Sequence, residues 1–179
     1  MMIKTIFSGF GGQGVLMMGY SLAHSAMSKD YHVMYLPAYG AEVRGGTANC
    51  TVAVADEEIT SPVASEPDYL IAMNSPSLIS FQNKITHGGA IFLNSSIVEA
   101  RPSRQDIKVY AVPCGVMAQE LGSDRVANVI MMGAFIKKTG MVTSDVYLKS
   151  LETIMGSKKK SAAEINRRAF AAGFDFIKD

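Results

Sequence analysis

The stretch IKTIFSGFGGQGVLMMGYSLAHSAMSK, residues 3–29, constrains the fold more than any other. It runs from a short β-branched and aromatic segment (Ile3 to Ser8), through glycines at 9, 11, 12 and 14, into an apolar run of helix length. The first segment has the composition of a buried strand, and the last has the length of a helix. Glycine supplies backbone shapes that other residues resist, so it allows a strand to turn tightly into a helix. The chain is therefore committed at its start to a βα unit.

The spacing Gly9-x-Gly11-x-x-Gly14 gives that first βα unit a Rossmann-like character. Two readings of the loop are open. In one, the Gly11 to Gly14 amides face a cleft at a helix N-terminus and cradle an anion, with Gln13 able to donate and accept beside them. In the other, the glycines only permit the tight turn. A dinucleotide site also needs an acidic residue at the end of the second strand, to hold the ribose hydroxyls. That strand, YHVMYLPA (Tyr31 to Ala38), ends without one; Asp30 precedes it and Glu42 follows in the next loop. No Walker lysine follows Gly14, so the loop is not a P-loop.

After the second strand comes YGAEVRGG, then TANCTVAVA (Thr47 to Ala55), a strongly β segment. The connection is too short for a crossover helix, so these two strands are expected to be antiparallel and the sheet mixed. YLIAMN is a further strand. Its Asn74-Ser75-Pro76 is a helix-start signal ahead of SLISFQNKI. GGAIFLNSS and DIKVYAVP complete the strands. Four helical segments follow: CGVMAQELG, DRVANVIMMGAFIKKTG, TSDVYLKSLETIMG and SAAEINRRAFAAGFDFIK. Glycines close three of them, and Thr143, Ser144 and Ser161 are candidate caps. The similar runs around Gly19 and Gly133 read as buried helices in close packing. No domain boundary interrupts residues 1–179, which are expected to form one domain.

Tyr39, Glu42 and Arg44 fall within six positions, bracketed by Gly40 and by Gly45-Gly46. An arginine fork suits a carboxylate or phosphate, since it binds two oxygens at once. A Glu42–Arg44 pair closing a surface loop is the other reading.

Hydrophobic residues make up 48% of the chain and charged residues 18%, a globular balance. The net charge of +1 gives no reason to expect nucleic acid or an anionic membrane as partner. No apolar run approaches membrane-spanning length, and the N-terminus lacks a secretory layout, so a cytoplasmic setting is expected. Cys50 and Cys114 form no C-x-x-C, and no serine-nucleophile, metal-ligand or thiamine motif is present. No catalytic residue and no metal ligand is assigned, and no cofactor is expected on this chain alone.

GFGGQGV, YGAEVRGGTANCTVAVAD and SPVASEPDYLIAMN together resemble the gamma subunit of 2-oxoacid:ferredoxin oxidoreductases over nearly the whole chain. GGTANC (Gly45 to Cys50) is most similar to the 2-oxoglutarate enzymes. The same unit occurs as a domain in pyruvate:ferredoxin oxidoreductases. The resemblance implies a three-layer α/β/α sandwich with a mixed, mostly parallel sheet. It implies alpha and beta, and in some complexes delta, partner subunits. Thiamine diphosphate, iron–sulfur clusters and coenzyme A belong to the complex, and ferredoxin or flavodoxin accepts its electrons. Such a complex oxidatively decarboxylates a 2-oxoacid to an acyl-CoA and carbon dioxide, and the isolated chain is expected to be inactive. The residues expected to face cofactor or active site are Gly9, Gly11, Gly12, Gln13, Gly14, Tyr39, Glu42, Arg44, Gly45 and Gly46. The alternatives are a free-standing Rossmann-like nucleotide-binding protein, and the small subunit of an indolepyruvate or pyruvate oxidoreductase.

Overall fold

The computed structural model describes residues 1–39, 46–60, 66–156 and 160–178. In chain order the elements are β1 (Met2–Phe10), α1 (Val15–Met27), β2 (His32–Tyr39), β3 (Thr47–Ala55), β4 (Tyr69–Ala72), α2 (Ser75–Phe81), β5 (Ala90–Asn94), β6 (Lys108–Val112), α3 (Cys114–Glu120), α4 (Ala127–Thr139), α5 (Ser144–Met155) and α6 (Lys160–Phe176). The six strands form one sheet in the order β2-β3-β1-β4-β5-β6. β3 is antiparallel to both β2 and β1, whereas β1, β4, β5 and β6 pair in parallel. The sheet is thus mixed and mostly parallel. The short connection after β2 forces the one reversal, because only a longer crossover returns a chain parallel.

The sheet buries both faces, unequally. On one face Phe7, Val52, Ile71 and Phe92 pack with Leu22, Ile130, Phe135, Tyr147 and Phe170 from α1, α4, α5 and α6. On the other, Ile6, Leu70 and Ile91 pack under Leu78 of α2 and Ile85. These are the three layers of an α/β/α sandwich, thick on one side and thin on the other.

Local signals explain most boundaries. Asn74 caps α2, its side chain accepting from the Ser77 amide at 2.9 Å, with a proline in the first turn. Gly140 and Gly156 take positive φ (61° and 73°) just past α4 and α5, where residues with a β-carbon are disfavoured. Two expected caps are corrected. Thr143 stands at the N-cap of α5, yet its side chain makes no capping bond. Ser161 lies inside α6, which begins at Lys160.

Close approach depends on glycine. A β-carbon on Gly133 would strike the Phe170 carbonyl oxygen, and one on Gly173 would strike that of Ile130, so α4 and α6 touch backbone to backbone. Gly19 faces Cys50 and Tyr35 in the same way, seating α1 on the sheet. Gly173→Ala should therefore destabilise the protein by about 1–3 kcal/mol, the usual cost of overpacking, measured as a lower urea midpoint at unchanged m.

Candidate functional site

The glycine loop leaves β1 at the end of the sheet where β4 and β5 also finish. From there the chain departs to opposite faces: α1 covers the thick side, while α2, after β4, covers the thin side. Such a divergence opens a crevice beyond the strand ends, the usual ligand position in an open α/β sheet.

Here the crevice between β1 and β4 is bridged by a side chain. The Gln13 Oε1 accepts from the Phe10 amide at 2.7 Å, and Gln13 Nε2 donates to the Met73 carbonyl at 3.1 Å. Asn74 Nδ2 approaches the same Oε1 at 3.5 Å, and the Met73 amide donates to Ser8 O at 2.8 Å. Gly9 must lack a side chain for this: its β-carbon would lie 2.5 Å from Gln13 Oε1 and 2.9 Å from Met73 Cβ. The carboxamide ties the ends of two neighbouring strands together, where a dinucleotide site would admit a pyrophosphate.

The loop's amides divide accordingly. Gly11 N–H donates to the Gly46 carbonyl at 2.9 Å, and Gln13 N–H to Phe10 O at 3.1 Å. These two are spent inside the fold, which corrects the expectation that all amides from Gly11 to Gly14 face a cleft. Gly12 and Gly14 take the left-handed region, with φ of 101° and 74°. Both line a cavity of about 490 Å³. Nothing would crowd a β-carbon at Gly12, so its glycine serves conformation alone, whereas one at Gly14 would meet Asn128.

The second motif arrives at the same end of the sheet. Tyr39 is the last residue of β2 and pairs with Ala48, and Gly46 leads into β3. The Gly11–Gly46 bond joins the two glycine-rich segments directly. Glu42, Arg44 and Gly45 lie outside the described residues, as does Gly40.

Residues that no sequence motif singled out complete the cavity: Asn94 at the end of β5, Gly115 and Gln119 on α3, and Asp124, Arg125 and Asn128 beside α4. Asn94 is almost wholly buried, its Oδ1 accepting from Ser96 N at 3.2 Å. A lone asparagine closing the apolar run AIFLN was the available signal. The lining is rich in carboxamides, with one guanidinium (Arg125) and one carboxylate (Asp124), and can hydrogen-bond a polar group. Among the described residues no group of three His, Cys, Asp or Glu could hold a metal ion. Burial holds the Cys50 and Cys114 thiols protonated, each pushed up to about 12. Among the described residues no helix is long and apolar enough to cross a membrane.

A mostly parallel sheet, a glycine turn and a side chain bridging the crevice define a Rossmann-like α/β unit. The chain belongs to the pyruvate ferredoxin/flavodoxin oxidoreductase family, whose model matches residues 4–176. It is 34% identical to ketoisovalerate oxidoreductase subunit VorA of Methanothermobacter thermautotrophicus, over 99% of this chain and 37% of that protein. It therefore spans little more than a third of that relative's length. The 2-oxoglutarate synthase subunit KorC of the same organism is 33% identical, over 95% of this chain and 92% of its own. Among solved structures, the gamma subunit of a keto/oxoacid ferredoxin oxidoreductase from Geobacter sulfurreducens superposes with a TM-score of 0.82 at 26% identity, covering 97% of this chain and 96% of that one.

Two outcomes follow. Gln13→Ala leaves the Phe10 amide and the Met73 carbonyl without their partner, and should cost about 1–3 kcal/mol in chemical denaturation. The two thiols should resist iodoacetamide at pH 8 in the native protein and react on unfolding, counted by mass spectrometry. Because their folded pKa lies above the ordinary value of 9.0, their contribution to stability is complete below pH 9 and lost as pH rises toward 12.

Proposed function

We propose that this chain is the gamma component of a multi-subunit 2-oxoacid:ferredoxin (acceptor) oxidoreductase. The complex would decarboxylate a 2-oxoacid oxidatively, form the acyl-CoA and carbon dioxide, and pass electrons to ferredoxin or flavodoxin. Thiamine diphosphate, when bound in the complex, supplies the carbanion chemistry of decarboxylation. An iron–sulfur cluster does not fit this chain's described residues. Cluster ligation needs thiolates, and Cys50 and Cys114 are separately buried on β3 and α3 with their protons held. In this reading alpha and beta companions hold those groups, and this chain alone turns over no 2-oxoacid.

One observation carries the proposal: the family match covers almost the whole chain, and both glycine-rich motifs converge at one end of the sheet through the Gly11–Gly46 bond. That end is where open α/β sheets present ligands. Its task is to help enclose the active site and coenzyme A. Gly12 and Gly14 offer backbone to an approaching group, and Arg125 offers a charge at the cavity rim. From the sequence, Arg44 grips a phosphate of coenzyme A or a carboxylate of the alpha subunit, Glu42 orients it, and Tyr39 adds an aromatic face.

The substrate we propose is 2-oxoglutarate, supported by GGTANC and by the 33% identical 2-oxoglutarate synthase subunit, matched over nearly its full length. A branched-chain 2-oxoacid is the second reading, supported by the 34% identity to the ketoisovalerate subunit.

The test is the reconstituted complex assayed with 2-oxoglutarate and 2-ketoisovalerate across coenzyme A concentrations, with viologen as acceptor. Arg44→Ala should raise the apparent KM for coenzyme A or weaken assembly at least about tenfold, since losing one partner of a desolvated charge pair costs about 2–5 kcal/mol. Arg44→Lys should recover part of that loss, lacking the two-pronged contact. Wild-type kinetics and assembly in Arg44→Ala would remove Arg44 from the site. Turnover by the isolated chain would overturn the subunit reading.

A further inference from the structure

Helix α1 carries no Asp, Glu, Lys or Arg in its 13 residues. Its inner face, with Val15, Met18, Leu22 and Ala26, is buried against the sheet. The residues that reach the surface are Leu16, Met17, Tyr20, His24 and Met27. Four of these, Met17, Tyr20, His24 and Met27, recur at intervals of three, four and three, a straight ridge along the outer side. Met17 is 38% exposed, Tyr20 46% and Met27 63%.

The molecule contains its own comparison. The run Val129-Ile130-Met131-Met132-Gly133 of α4 closely repeats Val15-Leu16-Met17-Met18-Gly19 of α1. In α4 every one of those residues is buried, because α6 lies across it. By contrast α5 and α6, the outer helices of the same layer, present Asp145, Lys149, Glu152, Glu164 and Arg167 along their length. A helix without charge around its whole circumference is one that folding or assembly covers. Among the described residues nothing covers the outer side of α1.

We propose that this ridge is the docking face for the companion chain of the complex, which meets it with an apolar surface. This rests on the subunit reading above. The ridge carries no carboxylate, ammonium or guanidinium and only the imidazole of His24, so an acidic or basic chain buried along it would lack an opposite partner over most of its length. The companion is favoured over a second copy by the ketoisovalerate subunit VorA. In that relative the segment similar to this chain makes up 37% of the protein, so a larger portion of the same subunit is joined to it covalently. The ridge also begins where the glycine loop ends, so a companion seated on α1 reaches the end of the sheet assigned above to coenzyme A.

The experiment measures affinity of the full chain for its companion, the chain of the same organism that corresponds to the rest of VorA, by sedimentation or surface binding. Tyr20→Glu with Met27→Glu should weaken binding at least a hundredfold. Ile79→Glu, at a 63% exposed apolar residue of α2 on the other layer, should leave binding unchanged. Circular dichroism checks the fold, and Tyr20→Ser with Met27→Gln, which keep the ridge uncharged, should still lose about tenfold if the double glutamate unfolds. Wild-type affinity in the ridge variants alongside a binding wild type overturns the ridge and leaves the subunit reading standing. A wild-type chain that never binds its companion overturns both. A wild-type homodimer that the ridge variants dissociate assigns the face to a second copy and likewise overturns the proposal.

Discussion

Phe135 of α4 is the point on which the layers lock. Its ring meets Phe7 of β1, Tyr69 of β4 and Phe92 of β5 edge-on, with centroids 6.1, 5.6 and 5.2 Å away. Edge-to-face contacts place the positive rim of one ring against the negative face of another, so they fix angle as well as distance. One side chain thereby sets α4 against three adjacent strands. Two residues earlier, Gly133 brings α6 onto the other side of the same helix. Sheet, inner helix and outer helix are positioned through a stretch of three residues.

That arrangement leaves the end of the sheet free to be shaped by its loops. The Gln13 carboxamide then does for β1 and β4 what backbone bonds do inside the sheet, joining them where the ladder has ended. A pocket remains beside the bridge, toward Asn94 and Asn128, while the crevice between the two strands is occupied. The Rossmann-like turn is retained, with the Gln13 side chain set between β1 and β4 and the cavity left open before Gly12 and Gly14.

Much of the architecture was legible because it is written locally. The strand–glycine–helix opening, the Asn74 cap and the reversal after β2 each depend on residues within a few positions of one another. The caps at Thr143 and Ser161 misled, since propensity at a helix start is a weak preference that packing overrides. The site was less legible for a related reason. Gln13 looked like a loop polar group, but its partner Met73 is 60 residues away and no spacing rule connects them. Asn94, Gln119 and Asn128 come from three separate elements and form no motif; only the closed fold brings them to one cavity.

The placement of sulfur has a consequence for oxidation chemistry. Both thiols are sealed in the core with their protons held, and it is the thiolate that attacks a peroxide oxygen, so the route to sulfenic acid is closed while the protein stays folded. The surface sulfur of α1 is thioether instead, at Met17 and Met27. Conversion of either to its sulfoxide would place a polar S=O group on a surface whose other polar groups are the Tyr20 hydroxyl and the His24 imidazole. Oxidation of Met17 or Met27 would therefore alter an outer apolar face, and sulfoxide reductases, which reverse that chemistry, could restore it without unfolding the chain.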